Sequence, residues 1–402
     1  MKKEVYLIDG IRTPIGNFGG SLAPVRTDDL AALVLKTLME RNPGVNPELI
    51  GDVIMGCANQ AGEDNRNVAR MALLLAGYPF SVPGQTVNRL CASGMSAIMD
   101  AARYILNDDA EIMVAGGVEN MTRGPWVISK ASGAYGRDQQ MYDSSFGWRF
   151  INPKMKDMYG VDGMGETAEN LCARDSISRT DQDAYAARSQ KKASEAEKNG
   201  LFKNEIIPVP IPQRKGDPHI FSRDEFIKPD TTPEKLAALK PAFKKEGSVT
   251  AGNSSGLNDG AAAVLLAGPD AVKKFNLKPM ARIVASGVAG VEPKYMGIGP
   301  VFASRIALKK AGLSLSDMGI IELNEAFAAQ VLSCTRALGM ADNDERLNPR
   351  GGAIALGHPL GMSGARISWS AALQLAQSNH KYALATMCIG VGQGYALILE
   401  KC

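Results

Sequence analysis

The stretch that decides the fold is Thr86-Val87-Asn88-Arg89-Leu90-Cys91-Ala92-Ser93-Gly94-Met95-Ser96-Ala97. Residues 82–87 are typical of a short extended segment, and apolar residues recur at helical spacing from Gly94 onward. Cys91 is therefore predicted at a turn from a strand into a helix. Free N–H groups and the positive end of the helix dipole favour a thiolate over a thiol at such a position. A buried structural cysteine is the alternative, and the turn alone leaves both open.

The composition is that of a globular protein without a nucleic-acid or membrane surface. The 402 residues exceed one ordinary core, so two or more domains are expected. Acidic and basic residues are interspersed and give a net charge of +3, which favours neither nucleic acid nor membrane as a partner. The first ten residues indicate a strand rather than a signal or transit peptide, and no apolar run is long enough to span a bilayer.

The cysteines indicate a reduced, cytoplasmic chain. All six lack a paired framework and C-x-x-C spacing; they are Cys57, Cys91, Cys172, Cys334, Cys388 and Cys402. Only three histidines occur, at positions 219, 358 and 380, so clustered zinc ligands are not expected and no metal is predicted.

The N-terminal part alternates apolar extended runs with helical patterns. Such alternation predicts a parallel or mixed sheet with helices packed on it. The predicted strands are Glu4–Asp9, Asp52–Met55 and Glu111–Ala115, and the predicted helices are Asp28–Glu40 and Asn67–Ala76.

Residues from about 120 to 250 have a different character, richer in charge, methionine, proline and aromatic residues. One clear helix, from about Thr180 to Gly200, lies between irregular stretches at 129–158 and 208–241. An insertion of this length in an α/β unit is usually a lid or a binding subdomain.

The remaining sequence indicates a second α/β half that begins near Arg282. Its predicted helices are Ala303–Ala311 and Glu325–Leu338, and its predicted strands are Arg282–Ser286, Ile320–Leu323, Tyr382–Met387 and Tyr395–Leu399. Leu90-Cys91-Ala92-Ser93-Gly94-Met95-Ser96-Ala97 resembles Leu360-Gly361-Met362-Ser363-Gly364-Ala365-Arg366-Ile367, with Leu, Ser and Gly at the same offsets. This echo suggests a duplicated unit in which one copy carries Cys91 and the other follows His358.

Three further turns in the second half offer chemical groups. His358 lies between Gly357 and Pro359, Cys388 opens the run Cys388-Ile389-Gly390-Val391-Gly392-Gln393-Gly394, and Asn324 follows a strand. A structural histidine, a plain hairpin and a helix N-cap are the respective alternatives. Taken together, the four turns supply a nucleophile, a base, a second acid or base and an oxyanion donor.

With these motifs in view, the chain resembles the thiolase family of acetyl-CoA acyltransferases from Val5 to Glu400. The motifs are Asn88-Arg89-Leu90-Cys91-x-Ser93-Gly94, Asn324-Glu325-Ala326-Phe327, Gly351-Gly352-Ala353-Ile354-Ala355-x-Gly357-His358-Pro359-x-Gly361 and Cys388-x-Gly390-x-Gly392-x-Gly394. The resemblance implies an α/β fold of two duplicated βαβαβαββ halves in a layered α-β-α-β-α core. Residues 1–119 and 250–275 would form the N-terminal half, 120–249 an inserted CoA-binding loop domain, and 276–402 the C-terminal half.

The resemblance also implies catalytic roles. Cys91 would be the nucleophile that carries the acyl group, and His358 would accept its proton. Cys388 would be the second acid or base. His358 and a water held by Asn324 would form one oxyanion site, and the N–H groups of Cys91 and Gly390 the other.

For coenzyme A, the implied contacts are with a short set of side chains in and beside the insertion. These are Met164, Lys228, Phe243, Ala251, Ser255 and Phe327. Lys228 stands where the family commonly has arginine, so the charge is kept and the bidentate fork is lost. Coenzyme A and acetyl-CoA are expected as substrates, with no permanently bound cofactor.

The subgroup is predicted from departures within the family pattern. Short-chain acetoacetyl-CoA thiolases carry histidine where this chain has Gly163, whereas residues 58–70 and 147–153 resemble β-ketoadipyl-CoA thiolases. Cleavage of 3-oxoadipyl-CoA is therefore favoured, and Arg123, Arg137 and Arg149 are candidate partners for its terminal carboxylate, with solvated surface charges as the alternative.

Two other functions stay open: an acetoacetyl-CoA thiolase and a non-catalytic, thiolase-like acyl-CoA binding protein. The resemblance further implies a homo-oligomer, either dimer or tetramer. Within it, residues 124–149 resemble the tetramerisation loop of the family.

Overall fold

The computed structural model describes residues 3–402, and its N-terminal part alternates strands and helices as the sequence predicts. The elements are β1 (Tyr6–Arg12), β2 (Gly16–Asn17), α1 (Thr27–Arg41), β3 (Ile50–Gly56), α2 (Val68–Leu75), β4 (Gly84–Val87), α3 (Ser93–Leu106) and β5 (Ile112–Asn120). Strand β5 continues five residues past its predicted end, through Gly116 and Gly117. A β-carbon at Gly116 would lie 2.1 Å from the carbonyl oxygen of Ala262, so this glycine permits close strand packing and does not end the strand.

The segment between residues 120 and 250 contains more regular structure than the sequence predicts. Its elements are β6 (Trp126–Ile128), β7 (Met141–Asp143), α4 (Pro153–Tyr159), α5 (Met164–Asp175), α6 (Arg179–Lys198), β8 (Val209–Ile211), β9 (His219–Phe221) and α7 (Pro233–Ala237). The predicted helix is α6, which begins after Ser178, whose Oγ accepts a hydrogen bond from the Asp181 N–H at 3.1 Å. Helix α5 was not predicted.

The chain then returns to the first half and builds the second. The elements are β10 (Asn258–Ala267), α8 (Pro269–Lys274), β11 (Ala281–Gly290), α9 (Gly299–Ala311), β12 (Met318–Leu323), α10 (Ala328–Ala337), α11 (Ala353–Leu356), α12 (Leu360–Ala376), β13 (Tyr382–Ile389) and β14 (Gln393–Lys401). Four short 3-10 turns complete the description, at Pro47–Leu49, Met121–Arg123, Pro293–Ile298 and Leu315–Asp317.

Helix α10 begins at Ala328, so the predicted start at Glu325 is wrong. Residues 324–327 stay outside the helix because the neighbouring segment forms hydrogen bonds with them. The Ser255 N–H donates to the Ala326 carbonyl at 3.0 Å, and the Ala328 N–H donates to the Asn253 carbonyl at 2.9 Å. Asn324 is therefore not the N-cap of this helix.

Ten strands form one mixed sheet in the order β12-β13-β14-β11-β1-β10-β5-β3-β4, with β2 paired to β10, and β6–β7 and β8–β9 form two separate two-stranded sheets. The two halves meet where β1 pairs with β11 at Tyr6–Arg282 and Leu7–Ala281. The second half contributes the four strands β11 to β14, and Leu347 adds one isolated bridge, to Ile321.

The two halves of the sheet and the three groups of helices packed on them form five layers, which confirms the predicted fold class. Helices α1 and α2 cover the outer face of the first half, α3 and α12 lie between the halves, and α9 and α10 cover the outer face of the second half. The domain boundaries given by the sequence stay a prediction. Within residues 3–402, no helix combines the length and apolar character needed to cross a membrane.

Helices α3 and α12 contact each other through glycines at their starts. A β-carbon on Gly94 would lie 2.6 Å from the Gly361 carbonyl oxygen, and one on Gly364 would lie 2.4 Å from the Met95 nitrogen. The two echoed stretches of sequence thus begin the two helices of the middle layer and touch there, backbone to backbone.

Candidate active site

Cys91 lies on a rigid turn between β4 and α3, as predicted. The preceding Leu90 adopts a left-handed conformation, with φ of 47°. The Ser93 hydroxyl accepts a hydrogen bond from the Arg89 N–H at 2.9 Å and donates to the Leu90 carbonyl at 2.6 Å. These two bonds hold the turn closed around Cys91, which is 8% exposed.

The surroundings of Cys91 favour the thiol over the thiolate. Burial raises the pKa of Cys91 to about 11, and the backbone N–H groups of Gly390 and Cys91 only partly oppose the rise. The N–H groups at the helix start do favour the thiolate, but desolvation of the charged sulfur outweighs them. Nucleophilic use of this sulfur requires a base.

His358 offers an imidazole for this role. Its Nδ1 lies 2.6 Å from the Ser363 hydroxyl, which donates its own hydrogen to the Pro359 carbonyl at 2.8 Å. The hydroxyl can then only accept from His358, so the proton lies on Nδ1 and Nε2 carries the free lone pair. Burial, helped by the positive charge of Arg366, lowers the pKa of His358 to about 3 and keeps the ring neutral.

Asn324 faces the unprotonated nitrogen of His358. Its Nδ2 lies 3.3 Å from Nε2, and its backbone N–H donates to the Thr386 carbonyl at 3.0 Å. The side chain is fully buried, and within the described residues its Oδ1 has no hydrogen-bond partner. An amide held in this way can orient a polar group next to the imidazole.

Gly390 lies on the tight connection between β13 and β14, as the glycine-rich run predicts, whereas Cys388 is the second-last residue of β13. Cys388 is fully buried, and burial raises its pKa well above the ordinary range. The backbone N–H of Gly390 acts to lower the pKa of Cys91, so the two groups are close in space. A β-carbon at Gly390 would lie 3.3 Å from Leu90 Cδ1, so the connection packs directly against the Cys91 turn.

An apolar wall leads from this point to the surface. Met164 Sδ is 3.8 Å from the place of a Gly390 β-carbon, and Phe243 packs against the next residue, Gly165. Phe243 and Phe327 meet edge to face, with ring centroids 5.9 Å apart. Met164 and Phe243 are 39% and 44% exposed, so their apolar surface stays available to a ligand.

The other predicted coenzyme A contacts lie at or beyond the edge of this wall. Ser255 Oγ donates to the Ala326 carbonyl at 3.1 Å, beside Phe327, and Ala251 is exposed. Lys228 is exposed, with its Nζ 4.8 Å from the ring centroid of Phe226, and that ring lies against Gly256, the neighbour of Ser255. The structure thus brings Met164, Phe243, Phe327 and Ser255 together.

The three candidate arginines have different surroundings. Arg123 is paired with Glu63, its Nε 2.7 Å from Oε2, and is therefore already neutralised. Arg137 is exposed in the β6–β7 connection. Arg149 is partly buried and donates to the Ser144 carbonyl at 2.8 Å, and the Ser144 hydroxyl accepts from Asn59 at 3.1 Å. Arg149 alone combines partial burial with a free charge.

Sequence reasoning missed three residues that hold the site. Ser363 fixes the His358 tautomer, Asn258 accepts the His358 N–H at 2.9 Å, and Glu325 gathers four hydrogen bonds. The echo signalled Ser363, since it occupies the place of Ser93 in the second copy. Nothing in the sequence near Asn258 or Glu325 indicates their distant partners.

The fold also gathers three potential metal ligands that are scattered in the sequence. Donor atoms of Cys57, Asp64 and Glu119 all lie within 4.8 Å of one another. The Glu119 carboxylate accepts N–H groups from Ala58 and Gly361, both at 2.9 Å, so it joins the first half to the start of α12. These bonds explain the buried carboxylate as a structural element.

Comparison with known proteins defines the class. The "Thiolase, N-terminal domain" family matches residues 5–270, and the "Thiolase, C-terminal domain" family matches residues 277–401. The chain belongs to the thiolase family and is an acyltransferase.

Full-length relatives and a solved structure agree with this assignment. The chain is 57% identical to "Beta-ketoadipyl-CoA thiolase" of Acinetobacter baylyi, covering 99% of this chain and 100% of the relative. It is 54% identical to "3-oxoadipyl-CoA/3-oxo-5,6-dehydrosuberyl-CoA thiolase" of Escherichia coli K12, with the same coverage. The crystal structure of the Bacillus anthracis acetyl-CoA acetyltransferase superposes with a TM-score of 0.92 at 41% identity, covering 100% of this chain and 99% of that one.

Proposed function

We propose that this protein is a thiolase that cleaves 3-oxoadipyl-CoA with coenzyme A, giving acetyl-CoA and the shortened acyl-CoA. One observation carries the chemistry: the Cys91 thiol lies near the Gly390 N–H and a second buried cysteine, and a neutral imidazole has its unprotonated Nε2 3.3 Å from the Asn324 amide nitrogen. A nucleophile, a base, a second acid and two sets of oxyanion donors are what a thiolytic cleavage needs.

In the first half-reaction, Cys91 attacks the 3-oxo carbon of the substrate. His358 Nε2 takes the thiol proton as the carbon–sulfur bond forms, and the N–H groups of Cys91 and Gly390 stabilise the oxyanion. The C2–C3 bond then breaks, and its electron pair passes into an enolate beside protonated His358 and the Asn324 amide. The Cys388 thiol protonates C2, which releases acetyl-CoA and leaves an acyl group on Cys91.

In the second half-reaction, coenzyme A removes that acyl group. The Cys388 thiolate accepts the proton of the incoming thiol, which attacks the thioester carbonyl in the same oxyanion site. The Cys91 thiolate leaves and recovers its proton from His358, so every group returns to its starting state. Burial raises the pKa of both cysteines and lowers that of His358, which makes this neutral resting state the stable one.

The apolar wall supports a binding path for the pantetheine arm. Met164, Phe243 and Phe327 offer continuous apolar surface from Gly390 outward, with Ser255 and Ala251 at its edge. Lys228 provides a positive charge for the phosphate end of coenzyme A. Coenzyme A and acetyl-CoA act as substrates in this proposal.

Two features support a dicarboxylic acyl chain. The named activities of the relatives from A. baylyi and E. coli concern 3-oxoadipyl-CoA or its synonym. A β-carbon at Gly163 would meet only Glu166 Oε2, at 3.4 Å, so space exists where short-chain enzymes carry histidine. Arg149 is the cation that we assign to the terminal carboxylate.

Turnover against a panel of 3-oxoacyl-CoA substrates tests the proposal. We expect 3-oxoadipyl-CoA to be cleaved far faster than acetoacetyl-CoA or an unsubstituted six-carbon 3-oxoacyl-CoA. Arg149→Met should raise the KM for the dicarboxylic substrate and leave that for the unsubstituted one unchanged. If acetoacetyl-CoA is cleaved faster than 3-oxoadipyl-CoA, the substrate assignment is wrong. If Cys91→Ala still cleaves 3-oxoadipyl-CoA, the mechanism is wrong.

A homotetramer in the cytoplasm is part of the proposal. Strand β4 is the last strand of the sheet, and Phe80 beside it is 87% exposed. The β6–β7 hairpin carries a second apolar surface, with Trp126 71% exposed. Light scattering should give four chains per particle, and Trp126→Ser should lower that number to two; a monomeric wild type would contradict the proposal.

The cytoplasmic location is supported by the six free cysteines, which are typical of a reducing compartment.

A further inference from the structure

The carboxylate of Glu325 lies one residue after Asn324 and is fully buried. Four donors converge on it, and they come from two different parts of the chain. Tyr185 Oη and Ser189 Oγ, both on helix α6 of the insertion, donate to it at 2.8 and 2.7 Å. Asn348 Nδ2 and the Ile354 N–H, both on the segment before His358, donate at 2.8 and 3.1 Å.

The backbone packs tightly around this carboxylate, so that side chains at Gly351 and Gly352 would clash. A β-carbon at Gly352 would lie 2.3 Å from the Glu325 carboxyl carbon. A β-carbon at Gly351 would lie 2.7 Å from Ala193 Cβ, so α6 also packs directly on this turn. The carboxylate is therefore a fixed junction between the insertion, the Asn324 turn and the approach to His358.

The two members of the Asn324–His358 pair are held in different ways. His358 has its own partners, Ser363 and Asn258, independent of the insertion. Asn324 lies in the connection between β12 and α10, and the hydrogen bonds to the adjacent Glu325 tie that connection to α6 and to Asn348. Displacement of Glu325 would therefore act directly on the adjacent Asn324 and only indirectly, through Ile354, on His358.

We infer that Glu325 is a positioning residue: it sets the Asn324 amide opposite His358 and ties that geometry to the coenzyme A-binding insertion through Tyr185 and Ser189. This inference rests on the proposed function, because it assigns Glu325 to the enolate site of the thiolase reaction. A purely structural carboxylate is the competing interpretation. The two differ in which half of the chemistry suffers, since acyl transfer through Cys91 uses the Gly390 oxyanion site and forms no enolate.

The experiment compares two reactions in the same variants. Thiolysis of 3-oxoadipyl-CoA requires the enolate site, whereas exchange of labelled coenzyme A into an acyl-CoA requires only the Cys91 thioester. Ser189→Ala and Tyr185→Phe each remove one donor on α6 and leave Glu325 in place. Ser194→Ala is the matched control, because its hydroxyl donates at 2.8 Å only to the Gln190 carbonyl of the same helix.

We expect Ser189→Ala and Tyr185→Phe to lower the kcat of thiolysis about tenfold and Glu325→Gln about a hundredfold, the scale of losing one oxyanion donor. Exchange and the KM for coenzyme A should stay within about twofold of wild type, as for an interaction made only in the transition state. Ser194→Ala should match wild type in both reactions. The inference is overturned if thiolysis and exchange fall together, or if thiolysis is unchanged in Ser189→Ala. A wild type that catalyses neither reaction overturns the proposed function itself.

Discussion

The hydroxyl of Ser363 should decide whether His358 can act as a base. It donates to the Pro359 carbonyl at 2.8 Å and accepts from His358 Nδ1 at 2.6 Å, which places the lone pair on Nε2. In Ser363→Ala the buried Nδ1–H loses its acceptor. The ring then either keeps an unsatisfied donor or moves its proton to Nε2, and the second tautomer cannot deprotonate Cys91.

The expected size of the effect follows from that lost bond. A buried donor without a partner costs about 1–3 kcal/mol, and about 1.4 kcal/mol corresponds to a tenfold change in rate. We therefore expect acylation of Cys91 to slow by about ten- to a hundredfold. Rapid quench with labelled acetyl-CoA measures this step directly, and the KM for coenzyme A should not change.

A control on the same helix separates this effect from loss of stability. Ser368 is also fully buried, and its hydroxyl donates to the Gly364 carbonyl at 2.7 Å without touching an imidazole. Ser368→Ala should acylate at the wild-type rate. If Ser363→Ala acylates as fast as Ser368→Ala, the assigned tautomer and the role of Ser363 are both wrong.

Three further outcomes are expected. Because the pKa of His358 is lowered to about 3, only the unfolded chain takes up a proton on this residue as the pH falls below the ordinary histidine pKa. Between neutral pH and about pH 4.5, the free energy of unfolding measured in urea should therefore fall by roughly 2–3 kcal/mol more in wild type than in His358→Asn. Gly94→Ala should lower the free energy of unfolding by about 2 kcal/mol, since its β-carbon meets the Gly361 carbonyl, whereas Gly133→Ala, with open space around it, should not. Gly163→His should raise the KM for 3-oxoadipyl-CoA relative to acetoacetyl-CoA in steady-state assays; equal changes for both substrates would contradict the proposed acyl pocket.

Much of the fold was predictable because local patterns report it directly. The periodicity of residues 28–40 and 67–76 predicts α1 and α2 within a residue or two, since each buries one apolar face. Helix α5 escaped because its buried face includes Thr167 and Glu169, which are polar. The start of α10 was misplaced because tertiary hydrogen bonds from residues 253–255 keep Phe327 and its neighbours extended.

The candidate site also contains features that the sequence predicts and features that only the folded chain shows. Cys91, His358, Cys388 and Asn324 were identifiable because each lies in a short motif of unusual composition. Their protonation was not, since the raised pKa of Cys91 depends on burial that the turn does not reveal. The partners of Glu325 are up to 140 residues away in sequence, so only the folded chain shows them.

The close backbone approach of Gly94 and Gly361 places Cys91 and His358 on opposite sides of the contact between the two halves. In the proposed mechanism the attacking sulfur belongs to residues 1–275 and its base to residues 276–402, so we expect neither fragment to be active by itself. A split form of this chain would work only by complementation, with activity reporting reassembly of α3 against α12. The same dependence means that each half constrains the sequence drift of the other.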